Sequence, residues 1–200
     1  MTRLILPETT QFLLTDCVAA EQLKNTVSDK TKVHYDTHLT KEGAGCTFNS
    51  VIIYMPKSKE ELRMKLHNGA ALLSPEGDIF VVGSKKEGTA SANKVMLELG
   101  GKPLKVDSAR HCVLWCFKPT KQVNFQLADW ESVFDVDVAD EQIKVCTLPG
   151  VFAHQKLDIG TRFLLETLHN VQSSQQTDEF NGLWLDFACG AGIIAAHFKK

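Results

Sequence analysis

Near its C-terminus the sequence runs Leu183-Trp184-Leu185-Asp186-Phe187-Ala188-Cys189-Gly190-Ala191-Gly192-Ile193-Ile194-Ala195. An apolar stretch holding one acid, two glycines one residue apart and a second apolar stretch form the pattern of a strand that turns sharply into a helix. Glycine at 190 and 192 frees the turn to take positive φ. It also removes the Cβ atoms that would keep a ligand away from the backbone N–H groups. The spacing therefore predicts a βα unit with a ligand lying over its turn, and with it an α/β sheet flanked by helices.

The upstream sequence has the same texture. Phe12-Leu13-Leu14, Val51-Ile52-Ile53-Tyr54, Ile79-Phe80-Val81-Val82 and Cys112-Val113-Leu114-Trp115-Cys116-Phe117 read as strands, and their unbroken apolar character predicts cover on both faces. Ser58 with Lys59-Glu60-Glu61 offers an N-cap and an acidic first turn, followed by Leu62, Leu66, Ala70 and Leu73 at helical spacing. Pro75-Glu76-Gly77 is expected to end that helix and turn into the strand from Asp78, and a helix over 91–99 should close on Gly100-Gly101. Beyond Pro119, Phe134, Val136 and Val138 alternate with Asp135 and Asp137, as in an exposed antiparallel strand. Residues 160–168 read as a helix and 171–177 as a polar linker. The domain boundary is expected between Pro119 and Val145, giving domains over 1–140 and 141–200.

With 44% apolar and 23% charged residues the composition is globular. No run of eighteen apolar residues occurs, and Met1-Thr2-Arg3-Leu4-Ile5-Leu6-Pro7 is too short to be a secretion signal. A soluble, cytoplasmic protein without membrane contact is the expectation. The six cysteines form no C-x-x-C pair, which argues against a zinc site or a disulfide framework and for reduced, mostly buried thiols.

A net charge of -2 gives no global attraction to a polyanion, so any RNA contact needs a local basic face. Lys57, Lys59 and Arg63 at the first long helix, Lys85 and Lys86 after the third strand, and Arg110 before the last are the candidates. Loops after the carboxyl ends of parallel strands share one rim, which would put Lys57 beside Lys85. Ordinary solvated lysines interleaved with Glu60, Glu61 and Glu87 read equally well. His34 and His38 find no third ligand nearby, so no metal is expected; His111 beside Cys112 reads as structural, as does Trp115.

Two cofactors suit the C-terminal turn. Gly190-Ala191-Gly192-Ile193-Ile194-Ala195 fits the dinucleotide fingerprint, which also asks for an acid on the next strand. The spacing Asp186-x-x-Cys189-Gly190-x-Gly192 resembles the first motif of class I methyltransferases, which implies S-adenosylmethionine, and this reading is preferred. Thr147-Leu148-Pro149-Gly150-Val151-Phe152 and Leu157-Asp158-Ile159-Gly160-Thr161-Arg162-Phe163-Leu164-Leu165 are similar to the entry of the catalytic domain in enzymes that make N2-methylguanosine in small-subunit ribosomal RNA. Ile52-Ile53-Tyr54-Met55-Pro56-Lys57, Asp78-Ile79-Phe80-Val81-Val82-Gly83 and Lys105-Val106-Asp107-Ser108-Ala109-Arg110 resemble the N-terminal domain of the RsmC subfamily. The likeness covers most of the chain from about residue 50, in order.

The resemblance implies two Rossmann-like methyltransferase domains, the first a degenerate copy without cofactor and the second catalytic. Thr15-Asp16-Cys17-Val18-Ala19-Ala20 follows the first strand without a glycine, as decay of a cofactor turn would leave it. The family's N-P-P-F/Y signature is absent from the 200 residues, and its counterpart in the first copy is Tyr54-Met55-Pro56-Lys57. The implied site is an incomplete one at Asp186, Cys189, Gly190 and Gly192, with no catalytic residue and no metal. The parent enzyme's implied partner is small-subunit ribosomal RNA or the subunit, with the first domain supporting folding and touching RNA.

This chain is then expected to be inactive, holding only the first strand, turn and helix of its catalytic domain. Residues 183–187 would be an apolar strand lacking partners, leading to disorder after about residue 170 or to docking of the tail on the first domain or a neighbouring chain. The competing reading is a self-standing RNA-binding or interaction module. A reading frame continuing to an N-P-P motif separates the two.

Overall fold

The computed structural model describes residues 10–138, 141–175, 185–187 and 189–198. The chain forms two compact units, Met1–Phe125 and Gln126–Lys200.

In the first unit β1 (Gln11–Leu14) and β2 (Lys32–Tyr35) pair in parallel around α1 (Cys17–Lys24). Asp16 caps α1, its Oδ1 accepting the Ala19 N–H at 2.8 Å. After the short α2 (Lys41–Ala44) comes the expected strand-helix-strand unit: β3 (Phe48–Tyr54), α3 (Lys59–Leu72) and β4 (Leu73–Ser84). Ser58 is the N-cap of α3, its Oγ accepting the Glu61 N–H at 3.0 Å. A short α4 (Ala92–Met96) leads to the hairpin of β5 (Leu104–Asp107) and β6 (Cys112–Phe117). The four-stranded sheet runs β3-β4-β6-β5, parallel at β3–β4 and antiparallel beyond. This α/β plan is Rossmann-like, as expected.

Leu62 and Leu66 of α3 bury against Ile53, Ile79 and Val81, and Met96, Leu99 and Phe117 complete the core. Each fully buried Leu or Ile contributes about 1.5–3 kcal/mol, so α3 owes its place to one apolar stripe. A second tie is polar. Buried Asn68 accepts the Leu39 N–H at 3.1 Å and donates to the Leu39 carbonyl at 2.9 Å.

The expectation that the strands are covered on both faces is wrong for β3. Val51 and Ile53 turn toward α3, while Ile52 is 64% and Tyr54 77% exposed. An unbroken apolar run marks a strand but does not count the layers upon it. Pro75-Glu76-Gly77 also differs from the expected turn: β4 begins at Leu73, straight after α3. Its ladder with β3 then jumps from Phe48↔Leu73 to Ser50↔Asp78, so the three residues lie in a bulge. Residues 89–99 form a broken helix, α4 between two 3-10 turns, closed by Gly100 and Gly101 at positive φ. The thiols are not mostly buried. Five are exposed and Cys116 is intermediate.

In the second unit β7 (Ser132–Val138) and β8 (Glu141–Thr147) make an antiparallel hairpin. Its alternation follows the sequence, with Val136 and Val138 buried and Asp135 and Asp137 exposed. α5 (Ile159–Gln175) and α6 (Ile193–His197) pack on it through Leu165 and Ile193. The expected linker over 171–177 is corrected as far as Gln175, which still belongs to α5; residues 176 and 177 lie outside the described residues. No helix among the described residues is long and apolar enough to cross a membrane.

Candidate cofactor turn and basic rim

The glycine turn in the second unit has the predicted backbone. Gly190 and Gly192 take φ of 55° and 71°, and Gly192 is the N-cap of α6 with its N–H donating to the Cys189 carbonyl at 2.8 Å. Among the described residues a Cβ at Gly192 would meet nothing within 4 Å, and the nearest atoms to one at Gly190 would be those of Phe152, at 3.8 Å and beyond. Glycine is required here by conformation, not by crowding, and the space before the turn is open. Ile193, buried in the core, fixes α6 behind it. Cys189 is exposed. Asp186 is half-buried, and its Oδ2, shielded from solvent, accepts no hydrogen bond from any described residue.

The strand expected before the turn is not formed at 185–187; Leu183 and Trp184 lie outside the described residues. Leu185 and Phe187 are 85% and 88% exposed. A strand needs a ladder, and the described strands of this unit, β7 and β8, are paired with each other. Phe152, 69% exposed, stands beside Gly190 on the loop after β8. There Gly150, Ala153 and Gln155 take positive φ, and Thr147 Oγ1 bonds His154 Nδ1 at 2.8 Å. Phe152 belongs to a stretch whose family likeness was legible, but sequence spacing gives no sign that it meets the turn.

The first unit has no glycine where β1 leads into α1. Where the second has Gly190 and Gly192, the first has Asp16, whose carboxylate already occupies the N-terminus of α1. Beside it, a groove of about 300 Å³ separates β1 and β2 from β3, lined by Leu13, Leu14, Thr37, Val51, Ile53 and Tyr54. No ladder joins the two sheets among the described residues.

At the carboxyl end of β3 and β4 the basic candidates come together in part. The Met55 N–H donates to the Val82 carbonyl at 2.8 Å, tying the start of the loop that carries exposed Lys57 to the end of β4, from which the loop with exposed Lys85 and Lys86 leaves. That second loop is closed by a capping box, Ser84 with Glu87. The Lys85 N–H in turn donates to the His111 carbonyl at 2.8 Å. Arg110 and His111 are the two central residues of the β5–β6 turn, which is closed by Cys112 N–H to Ala109 carbonyl at 2.8 Å. Both lie at positive φ, 49° and 63°. Such hairpin turns favour Asn and Gly, and a non-glycine residue held there costs about 1–3 kcal/mol.

Lys59 opens α3 close by, but Arg63 is held elsewhere, donating two bonds to Glu98 at 2.7 and 2.8 Å. That carboxylate raises the Arg63 pKa further. His34 bonds Gln11 at 2.9 Å and His38 packs against the Phe125 ring. Trp115 donates to the Thr89 carbonyl at 2.8 Å from the edge of the core. His111 and Tyr54 are the residues that sequence reasoning left out of this rim.

The family model "Methyltransferase small domain N-terminal" matches residues 5–134, and "Methyltransferase small domain" matches 142–200. Ribosomal RNA small subunit methyltransferase C of Pseudoalteromonas translucida is 39% identical over 155 residues, covering 77% of this chain and 43% of the relative. That of Pseudoalteromonas atlantica is 42% identical, covering 74% and 41%. This chain belongs to the RsmC-type small-domain methyltransferases.

The T. thermophilus 16S rRNA N2 methyltransferase RsmC, solved in complex with AdoMet and guanosine, shares the fold. Its TM-score is 0.66 at 19% identity, over 80% of this chain and 42% of that one. The chain spans about half or less of the length of the RsmC relatives it matches. In RsmC terms the first family model takes in the rim and the groove, and the second takes in the glycine turn and Phe152.

Proposed function

We propose that this chain is the N-terminal part of an S-adenosylmethionine-dependent enzyme that methylates the guanine exocyclic amine in small-subunit ribosomal RNA, working in the cytoplasm. Residues 1–140 are its noncatalytic methyltransferase-like domain, serving folding and RNA contact through Lys57, Lys59, Lys85, Lys86 and Arg110, while Arg63 stays with Glu98. Residues 141–200 begin the catalytic domain. By itself the chain does not turn over.

One observation carries the reading: the open glycine turn lies within the stretch that matches the catalytic family model. Its residues fit the cofactor. Gly190 and Gly192 leave room for close approach, and Asp186 offers a carboxylate oxygen that accepts nothing from the described residues. When bound, S-adenosylmethionine supplies a sulfonium methyl for an amine nucleophile. Asp186, Cys189, Gly190 and Gly192 would hold one end of it. The N-P-P signature that would position the amine is not among the 200 residues, so positioning, worth several orders of magnitude in rate, is lost.

The test is transfer of labelled methyl from S-adenosylmethionine to small-subunit ribosomal RNA, by this chain and by the full-length P. translucida relative. Incorporation by the relative alone is the expected result. Turnover by the 200-residue chain overturns its inactivity, and no turnover by the relative overturns the reaction.

A further inference from the structure

We infer that the rim of the first unit is a binding surface for single-stranded RNA, with Tyr54 as a platform for an unstacked base and the Arg110–His111 turn as a prong on the phosphates. The inference rests on the reading above for its partner and goes beyond it in the form of the RNA and in the residues.

Three observations converge. The first is continuity. Two backbone hydrogen bonds, Met55 to Val82 near the end of β4 and Lys85 to His111, place the loop after β3, the loop after β4 and the β5–β6 turn, with Lys57, Lys85, Lys86 and Arg110, at one end of the sheet. Glu87 and Asp107 keep their charge while accepting the Ser84 N–H at 3.0 Å and the Ser108 N–H at 2.6 Å, and the four cations outnumber these two carboxylates. The local charge is therefore positive although the chain is not.

The second is the aromatic. Tyr54 ends β3 at 77% exposure, on the face turned away from α3, and it lines the groove between β1 and β3. A large exposed ring at the same end of the sheet as a set of cations is the pairing that single-stranded nucleic acid uses, the base stacking on the ring and the backbone following the charge. A duplex keeps its bases stacked inside and cannot use the ring.

The third is strain. Arg110 and His111 sit in a backbone conformation that glycine would adopt freely, yet both carry side chains suited to phosphate, and both are exposed. The surrounding bonds hold them at the tip of the hairpin.

The experiment is fluorescence anisotropy of the 200-residue chain with a labelled single-stranded 12-nucleotide RNA and with the same RNA in duplex, across a salt series. The single strand is expected to bind more tightly than the duplex. Tyr54→Ala should weaken binding about tenfold with the salt slope unchanged, and Tyr54→Phe should restore it. Lys85→Ala and Arg110→Ala should each reduce the salt slope by about 0.7. Arg110→Gly should weaken RNA binding while raising the urea midpoint, a pair of changes that a purely structural role would not give. Lys144→Ala, on β8, is the control and should bind as the parent does.

Equal affinity of Tyr54→Ala and the parent, equal binding of duplex and single strand, or unchanged salt slopes overturn the inference. So does failure of the chain to bind RNA. None of these touches methyl transfer by the full-length relative, and failure of that reaction would leave the binding result as it stands.

Discussion

Burial sets the protonation of His67. Half-buried on α3, its ring has a pKa lowered first by desolvation, with Arg63 and Lys121 adding to the effect and Glu98 opposing it. The folded pKa lies below the unfolded value of about 6.5. The unfolded chain therefore takes up the proton first as pH falls. The stability that a neutral His67 contributes is full above about pH 6.5 and is lost as pH drops toward the folded pKa. The urea midpoint should fall between about pH 7.5 and pH 5.5, and His67→Gln should flatten that fall; an equal fall in the variant refutes the assignment. Single residues were legible where a local rule acts on them: Ser58 as a cap, Gly190 and Gly192 as turn residues, Val136 and Val138 as the inner face of a strand. They were illegible where the partner is distant. Nothing near Arg63 in sequence announces Glu98, and nothing near Phe152 announces Gly190.

At the scale of elements, α3 is the hinge pin between the β1–β2 pair and the four-stranded sheet. Its apolar stripe serves the sheet, and Asn68 serves the segment after β2 through two hydrogen bonds to Leu39. Asn68→Ala strands a buried N–H and a buried carbonyl, costing about 2–4 kcal/mol. Thermal unfolding should show that loss, and a change under about 0.5 kcal/mol would mean that water replaces the amide. The strand-helix-strand unit was readable because cap, stripe and strand lie within forty residues of one another. The bulge at Pro75-Glu76-Gly77 was not: proline and glycine announce a departure from regular structure, but the β3 ladder decides whether that departure is a turn or a bulge. The expected strand at 185–187 failed for a related reason, since hydrophobicity makes a strand possible and only a neighbour makes it real.

At the scale of the whole molecule, the exposed apolar side chains follow the same logic. Leu185 and Phe187 beside the turn, and Ile159 and Phe163 on α5, each leave most of their apolar area in water. We propose that this area drives self-association. Light scattering should give a mass above that of one chain, and Leu185→Ser with Phe187→Ser should return it to the monomer. A monomeric parent chain refutes the proposal. α6 itself packs on β8 and α5 of its own unit, which corrects the expected disorder from about residue 170 for residues 171–175 and 193–197; the expected docking on a neighbouring chain is the self-association just proposed. The fold class and the glycine turn were legible because both are written in short motifs. The rim was half legible, its lysines visible as charge, its unity hidden until the hairpin met the β4 loop. That meeting has a kinetic side. The amide hydrogen of Lys85 is shielded by the His111 carbonyl, so its exchange with deuterated water times how often the hairpin tip lifts from the loop. A ligand spanning both would slow that clock at one residue without altering the core.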